Sequence, residues 1–204
     1  MANLKDIRDR IKSVKSIQKV TKAMKMVAAA KMRKAQERME QARPYSNSLS
    51  EIIEHLLPDI DRESLTLLQV REIKRKAYVV VSADRGLAGA FNTNLLKIAQ
   101  REIDEFGREN VDIFCIGKKA RDHFNYRNYN VIDSHIDFWA EMEFENAMMI
   151  GRSVIDHFTS GSVDEIHVVY NYFTNIAQQE VKSETLLPLS YDEVEYTASD
   201  RLYE

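Results

Sequence analysis

The chain reads as an α/β protein: a mostly parallel sheet with helices, preceded by one long helix that projects from it. Three observations carry this reading. Only 6 Gly and 3 Pro occur among the 204 residues, and the first glycine is Gly86. So few breakers argue against an all-β fold and exclude collagen-like and low-complexity classes. From Ala77 onward, short β-branched runs alternate with helical patterns, as expected of parallel strands joined by helices. Charge, finally, is unevenly spread. The net charge is −3, yet residues 1–43 hold thirteen Lys/Arg against four Asp/Glu, a local +9 that leaves −12 on the remainder. The near-balance of the whole argues against a wholly basic nucleic-acid binder, while the split marks the first segment as a separate object.

That segment is predicted to be helical from Asn3 to His55 or Leu57, with Asn3 as cap, Asp6 in the first turn and Pro58 as the stop. Leu4, Ile7, Ile11 and Val14 recur at alternating spacings of three and four, an a/d seam. The same frame then meets Gln18, Thr21 and Lys25, while the apolar Ile17, Val20, Met24 and Val27 fall one place earlier. Ala28, Met32, Ala35, Met39 and Ala42 return to the first frame. A heptad held at both ends and broken in the middle turns a different face outward there. Forty residues of helix span roughly 60 Å at 1.5 Å per residue, more than the diameter of a domain built from the rest. Pro44 lies inside the pattern; a helix can pass through a proline at the loss of a hydrogen bond.

Residues 58–76 form a mixed connector, and residues 77–204 carry the α/β pattern. Strands are expected at Ala77–Ala83, Val111–Gly117 and Val163–Phe173, with a further edge strand in 179–189. Helices are expected at Thr93–Phe106, Lys118–Phe124 and Glu141–Phe158. Strands alternating with helices in this way imply a Rossmann-like sheet. The lone Cys115 cannot form an internal disulfide and sits in the apolar run VDIFCIG, so it reads as a small buried hydrophobe. No stretch approaches the ~18 apolar residues of a membrane span, and no apolar stretch of a secretory signal follows the basic N-terminus.

Chemistry-bearing motifs are few. SADRGLAGAFN, Ser82 to Asn92, links a strand to a helix as phosphate-binding turns do. Gly86 and Gly89 nevertheless match neither the P-loop nor the complete dinucleotide spacing, and Ser82 lacks the flanking glycines of a hydrolase elbow. The histidines are scattered, and only His135 and Asp137 form even a short ligand pair. Nothing assembles acid, base and nucleophile, so no catalytic, cofactor-binding or metal-binding residue is assigned. The basic helix itself admits three readings: a solvated charged face, a nucleic-acid-binding module, or a coiled-coil strand inside an acidic protein partner. Lys and Arg spread around the helix without interleaved aromatics speak against the second. The small residues of MVAAAK, which permit close helix approach, favour the third.

The longer strings are more specific. IRDRIKSVKSIQKVTKAMKMVAAAKMRKAQ, from Ile7 to Gln36, closely resembles the N-terminal helix of the gamma subunit of F-type ATP synthase. SADRGLAGAFNTNLL and ETLLPL, with LYE at the end, resemble the same family in the same order. Ala88 stands where the family often has cysteine and Ala90 where it often has glycine. The resemblance implies a central-stalk rotor subunit, a Rossmann-like domain from which an antiparallel coiled coil rises into the ring of alpha and beta subunits. It would couple ion-driven rotation of the c-subunit ring to ATP synthesis or hydrolysis without being catalytic itself. Implied partners are alpha, beta, epsilon and the c ring, with no nucleic acid and with membrane contact only through that ring. The implied location is peripheral, on the cytoplasmic face of a bacterial cell membrane. Lys22, Met24, Lys25, Met26, Lys31 and Tyr203 become the candidate partner contacts, with the lysines facing acidic beta-subunit surfaces and the methionines making soft, sliding contacts. The family's C-terminal helix would follow the LYE segment, so the sequence reads as a shortened form whose seam favours self-association. A small-molecule-binding α/β enzyme centred on Ser82 to Asn92 is the remaining alternative.

Overall fold

A computed structural model describes residues 3–56, 60, 65–137, 139, 144–175 and 178–189. The chain divides into two compact units, Met1–Asp59 and Ile60–Glu204.

The first unit is one helix, α1, Leu4–Leu56. Its 53 residues span roughly 80 Å. The start is capped as expected: the Asn3 N–H donates to Asp6 Oδ2 at 3.3 Å and Asn3 Oδ1 accepts from the Lys5 N–H at 3.4 Å. Pro44 lies within the helix without ending it. The Thr21 hydroxyl donates to the Ile17 carbonyl at 2.8 Å, which satisfies a polar group at the point where the seam frame breaks. Arg33 pairs with Glu37 at 3.1 Å and Gln36 Nε2 donates to Glu40 at 2.9 Å, supports one turn apart on the surface.

In the second unit a five-stranded sheet runs in the order β3-β2-β1-β4-β5. The elements are β1 (Lys76–Val81), α2 (Phe91–Phe106), β2 (Val111–Ile116), α3 (Lys118–Tyr126), β3 (Val131–His135), α4 (Phe144–Thr159), β4 (Glu165–Phe173) and β5 (Gln179–Leu187). The first four are parallel to one another, while β5 pairs antiparallel with β4 along the edge. The mostly parallel sheet matches expectation, but β3 was not foreseen, and α2 begins at Phe91 rather than Thr93. Part of the connector, Thr66–Leu68, is a single 3₁₀ turn that buries Leu68.

Period-two alternation explains the core. Tyr78, Val80, Val111, Ile113, Cys115 and Val169 point to one face, where they meet Leu95, Ala99 and Ile103 of α2 and Ala120 and Phe124 of α3. Ala77, Val79, Phe114, Ile116 and Ile166 point to the other, against Val154 and Phe158 of α4. Both faces of β2 are covered, so all six of its residues are buried, the condition in which parallel strands lose visible alternation. Burial pushes the Cys115 thiol up to about 12, against a weaker opposing pull from Arg121.

One charged side chain interrupts this core. Asp112 is buried on β2 and accepts from Arg75 Nη2 at 2.8 Å, Asn130 Nδ2 at 2.7 Å and His157 Nε2 at 2.8 Å. The carboxylate therefore ties the connector preceding β1, the loop before β3 and the end of α4 to one point. Removing a buried partner strands the groups that faced it. Asp112→Ala is expected to lower unfolding free energy by about 3 kcal/mol, read as a lower urea midpoint with unchanged slope; a midpoint within error of the parent would disprove the role.

Candidate interaction surfaces

A helix advances about 100° per residue, and this decides how the candidate contacts on α1 are arranged. Lys22, Lys25 and Met26 lie on one side. Met24 and Lys31 lie on the other, in line with Ile17, Val20 and Val27. All five are exposed. The structure thus gathers them within three turns of helix but onto two opposing faces. Tyr203 lies outside the described residues.

The apolar stripe is exposed from Leu4 to Met32, while Met39 and Ile53 are half-buried. Ile11 is 50% exposed, Ile17 62%, Met24 66% and Val27 57%. Beyond Pro44 the first seam frame resumes at Leu49, Ile53 and Leu56, with Leu49 44% and Leu56 56% exposed. An amphipathic helix with such a stripe needs a cover, because its stability comes from packing one face rather than from propensity.

The second surface is the loop from Ser82 to Ala90, at the C-terminal end of β1. Ser82 and Asp84 are occupied in holding the fold. Asp84 accepts from the Lys118 N–H at 2.8 Å through Oδ1 and from the Asp137 N–H at 3.0 Å through Oδ2. The Lys119 N–H donates to the Ala83 carbonyl at 3.1 Å, and the Ala120 N–H donates to the Ser82 hydroxyl oxygen at 2.8 Å. The first three N–H groups of α3, the usual attraction for an anion, are therefore all taken by this loop. Asn92 closes it from the other end, accepting from the Ala83 N–H at 3.0 Å and donating to the Arg85 carbonyl at 3.3 Å. Asp84 thus clamps this loop to the start of α3 and to the segment after β3. His135 pairs with Asp133 at 3.0 Å rather than with Asp137.

At the tip of this clamped loop Leu87 is fully exposed, with φ of 60°. A leucine in the left-handed region is costly, and an apolar side chain displayed there was not singled out from the sequence. The available signal was its place between Gly86 and Gly89. Among the described residues no three His, Cys, Asp or Glu side chains are grouped to hold a metal ion, and no helix is long and apolar enough to cross a membrane.

Residues 3–204 match the model of a family described as ATP synthase. The ATP synthase gamma chain of Chloroherpeton thalassium is 43% identical over 206 residues, covering 98% of this chain and 68% of that one. The chain belongs to the ATP synthase gamma-chain family. The gamma chain of Desulforamulus reducens is 43% identical over 93% of this chain and 66% of its own length. That of Moorella thermoacetica is 37% identical over 100% and 72%. This member of the gamma-chain family thus spans about two thirds to three quarters of the length of these relatives. Among solved structures, the central stalk and c ring of the Tetrahymena thermophila mitochondrial ATP synthase matches with a TM-score of 0.67 and 25% identity, over 83% of this chain and 72% of that one. The rotor of the Euglena gracilis mitochondrial enzyme shares the fold, with a TM-score of 0.59 and 24% identity over 88% and 61%. Family and fold together are those of a central-stalk subunit of an ATP synthase, a membrane-associated complex. The sheet, the long helix and the loop at Leu87 are accordingly features of a gamma chain.

Proposed function

We propose that the chain acts as the shaft of the rotor, transmitting torque between an ion-driven c ring and the nucleotide sites of an alpha/beta head, and that it performs no bond-making step itself. The observation that carries this is the 53-residue helix whose apolar stripe and basic charge both lie exposed. An apolar stripe calls for close enclosure, while a +9 charge on residues 1–43 calls for acidic surroundings without fixed pairing. A ring of alpha and beta subunits with acidic inner surfaces satisfies both, and a second helix of the assembly would complete the seam. The α/β unit, at −9 for residues 60–204, would sit outside the ring against the epsilon subunit and the c ring. In this reading the complex lies on the cytoplasmic face of a bacterial membrane, with lipid reached only through the c ring.

Nucleic acid is a poorer match, since Lys22 and Lys31 lie on opposite sides of α1 and present no single stripe to phosphates. A nucleotide enzyme is poorer still, because Ser82, Asp84 and Asn92 already have structural partners. The test is Lys22→Ala, Met24→Ala and Lys25→Ala combined in the assembled complex. Coupled ATP synthesis is expected to fall several-fold while the folded chain keeps its helicity. Unchanged coupling and assembly would remove these residues from the contact surface.

A further inference from the structure

α2 and α3 lie side by side on one face of the sheet, and an open groove of about 780 Å³ runs between them. A chain of hydrogen bonds crosses it. Arg127 Nη1 lies 3.2 Å from His123 Nδ1, His123 Nε2 lies 2.9 Å from Gln100 Oε1, and Gln100 Nε2 donates to Asp104 Oδ2 at 3.4 Å. Asp104 Oδ1 accepts from the Tyr129 hydroxyl at 2.6 Å.

The direction of this chain is fixed at both ends by elementary chemistry. A guanidinium only donates, and a carboxylate only accepts. Gln100 must therefore turn its oxygen toward His123, and His123 must accept at Nδ1 and donate at Nε2. One neutral tautomer satisfies that requirement. The imidazolium, with protons on both nitrogens, cannot.

We propose that His123 is an acid-operated latch on the C-terminal turn of α3. Neutral, it completes the chain. A proton arriving at Nδ1 keeps the Nε2–H bond to Gln100 but breaks the Arg127 link at Nδ1. Arg127 Nη1 is left only the His123 carbonyl at 3.2 Å, and the last turn of α3 loosens. The released guanidinium is then a second cation beside the first. Lys97 and Arg101 on α2 line the same groove and add to the repulsion, while Asp104 and Glu105 partly offset it. Glu105 lies 3.9 Å from Arg101, and Asp104 is engaged by Tyr129 and Gln100, so neither is aimed at His123. Partial burial and then the Arg127 charge hold the imidazole below its ordinary value. Because the folded value is depressed, the latch is fully closed above the unfolded imidazole value near ~6.5, and its contribution is lost as pH falls through the folded value.

This device is independent of the rotor reading and can be tested on the chain alone. Imidazole nitrogen shifts followed from about pH 8 to about pH 4.5 are expected to show Nε2 protonated and Nδ1 bare at the upper end, with a midpoint below ~6.5. Through that midpoint, hydrogen exchange at the Tyr126, Arg127 and Tyr129 amides should rise at least about fivefold after correction for its intrinsic pH dependence. His123→Gln, which can still accept and donate, should abolish the rise. Arg127→Gln should move the midpoint upward. A midpoint at or above the ordinary value, a proton on Nδ1 at neutral pH, or unchanged exchange across the transition would each overturn the latch. Should His123→Gln fail to fold, an unmoved midpoint in Arg127→Gln would do the same.

Discussion

Gly117→Ala is expected to cost about 4 kcal/mol, enough to consume a large share of the ~5–15 kcal/mol that holds a domain of this size. Gly117 joins β2 to α3 with φ of +96°, where an L residue is strained by roughly 1–2 kcal/mol. An added Cβ would also stand 2.1 Å from the Ser82 carbonyl oxygen and 2.9 Å from its hydroxyl. Neither neighbour is free to move. The Ser82 N–H donates to the Ile116 carbonyl at 2.7 Å, and the Ser82 hydroxyl oxygen accepts from Ala120. The Gly117 N–H is itself bound to the His135 carbonyl at 2.7 Å. Overpacking of roughly 1–3 kcal/mol therefore adds to the backbone strain. Gly161→Ala is the control: its φ is +75° but nothing lies within 4 Å of the added carbon. Urea midpoints of the two variants separate strain from collision, and equal losses would show that the Ser82 contact is unimportant.

The second large effect belongs to the assembly and not to the chain. Replacing Ile17, Val20, Met24 and Val27 together by serine should leave the isolated chain folded, because these side chains are already 56–66% exposed. Inside a sleeve that covers them the loss is of order 5 kcal/mol, taking about half of the ~1.5–3 kcal/mol for complete burial of each. That corresponds to a more than thousandfold weaker hold by the head. Reconstitution of alpha, beta and the altered chain, followed by sedimentation of the complex, reads it directly. If the altered chain sediments with the head as the parent does, α1 is not enclosed at that stripe.

The extent to which the sequence foretold these features follows from where each signal is stored. α1 was legible almost to the residue, since its pattern repeats through 53 residues and its cap lies three residues from its partner. β1, β2 and β4 announced themselves through β-branched runs. β3 did not: VIDSH carries two polar residues and a histidine in five, and it is a strand because β2 offers it a ladder, a property of the neighbour. Asp84 could be noticed but not understood. Its partners, Lys118 and Asp137, are 34 and 53 residues away, and no spacing rule reaches that far. Asp112 was hidden by its company, a polar residue inside VDIFCIG whose partners at 75, 130 and 157 come from three distant parts of the chain. The candidate contacts on α1 were placed by resemblance, and only the helix geometry shows that they divide between two faces.

The buried Cys115 has a practical consequence for watching such a molecule move. Thiol-directed dyes attack the thiolate, and this sulfur is sealed in the sheet with its ionisation pushed up to about 12. The native chain is thereby silent toward maleimide chemistry while it stays folded. A cysteine introduced at an exposed position of α1, such as Lys15, becomes the single reactive point on the surface of the folded chain, with no native residue removed to achieve it.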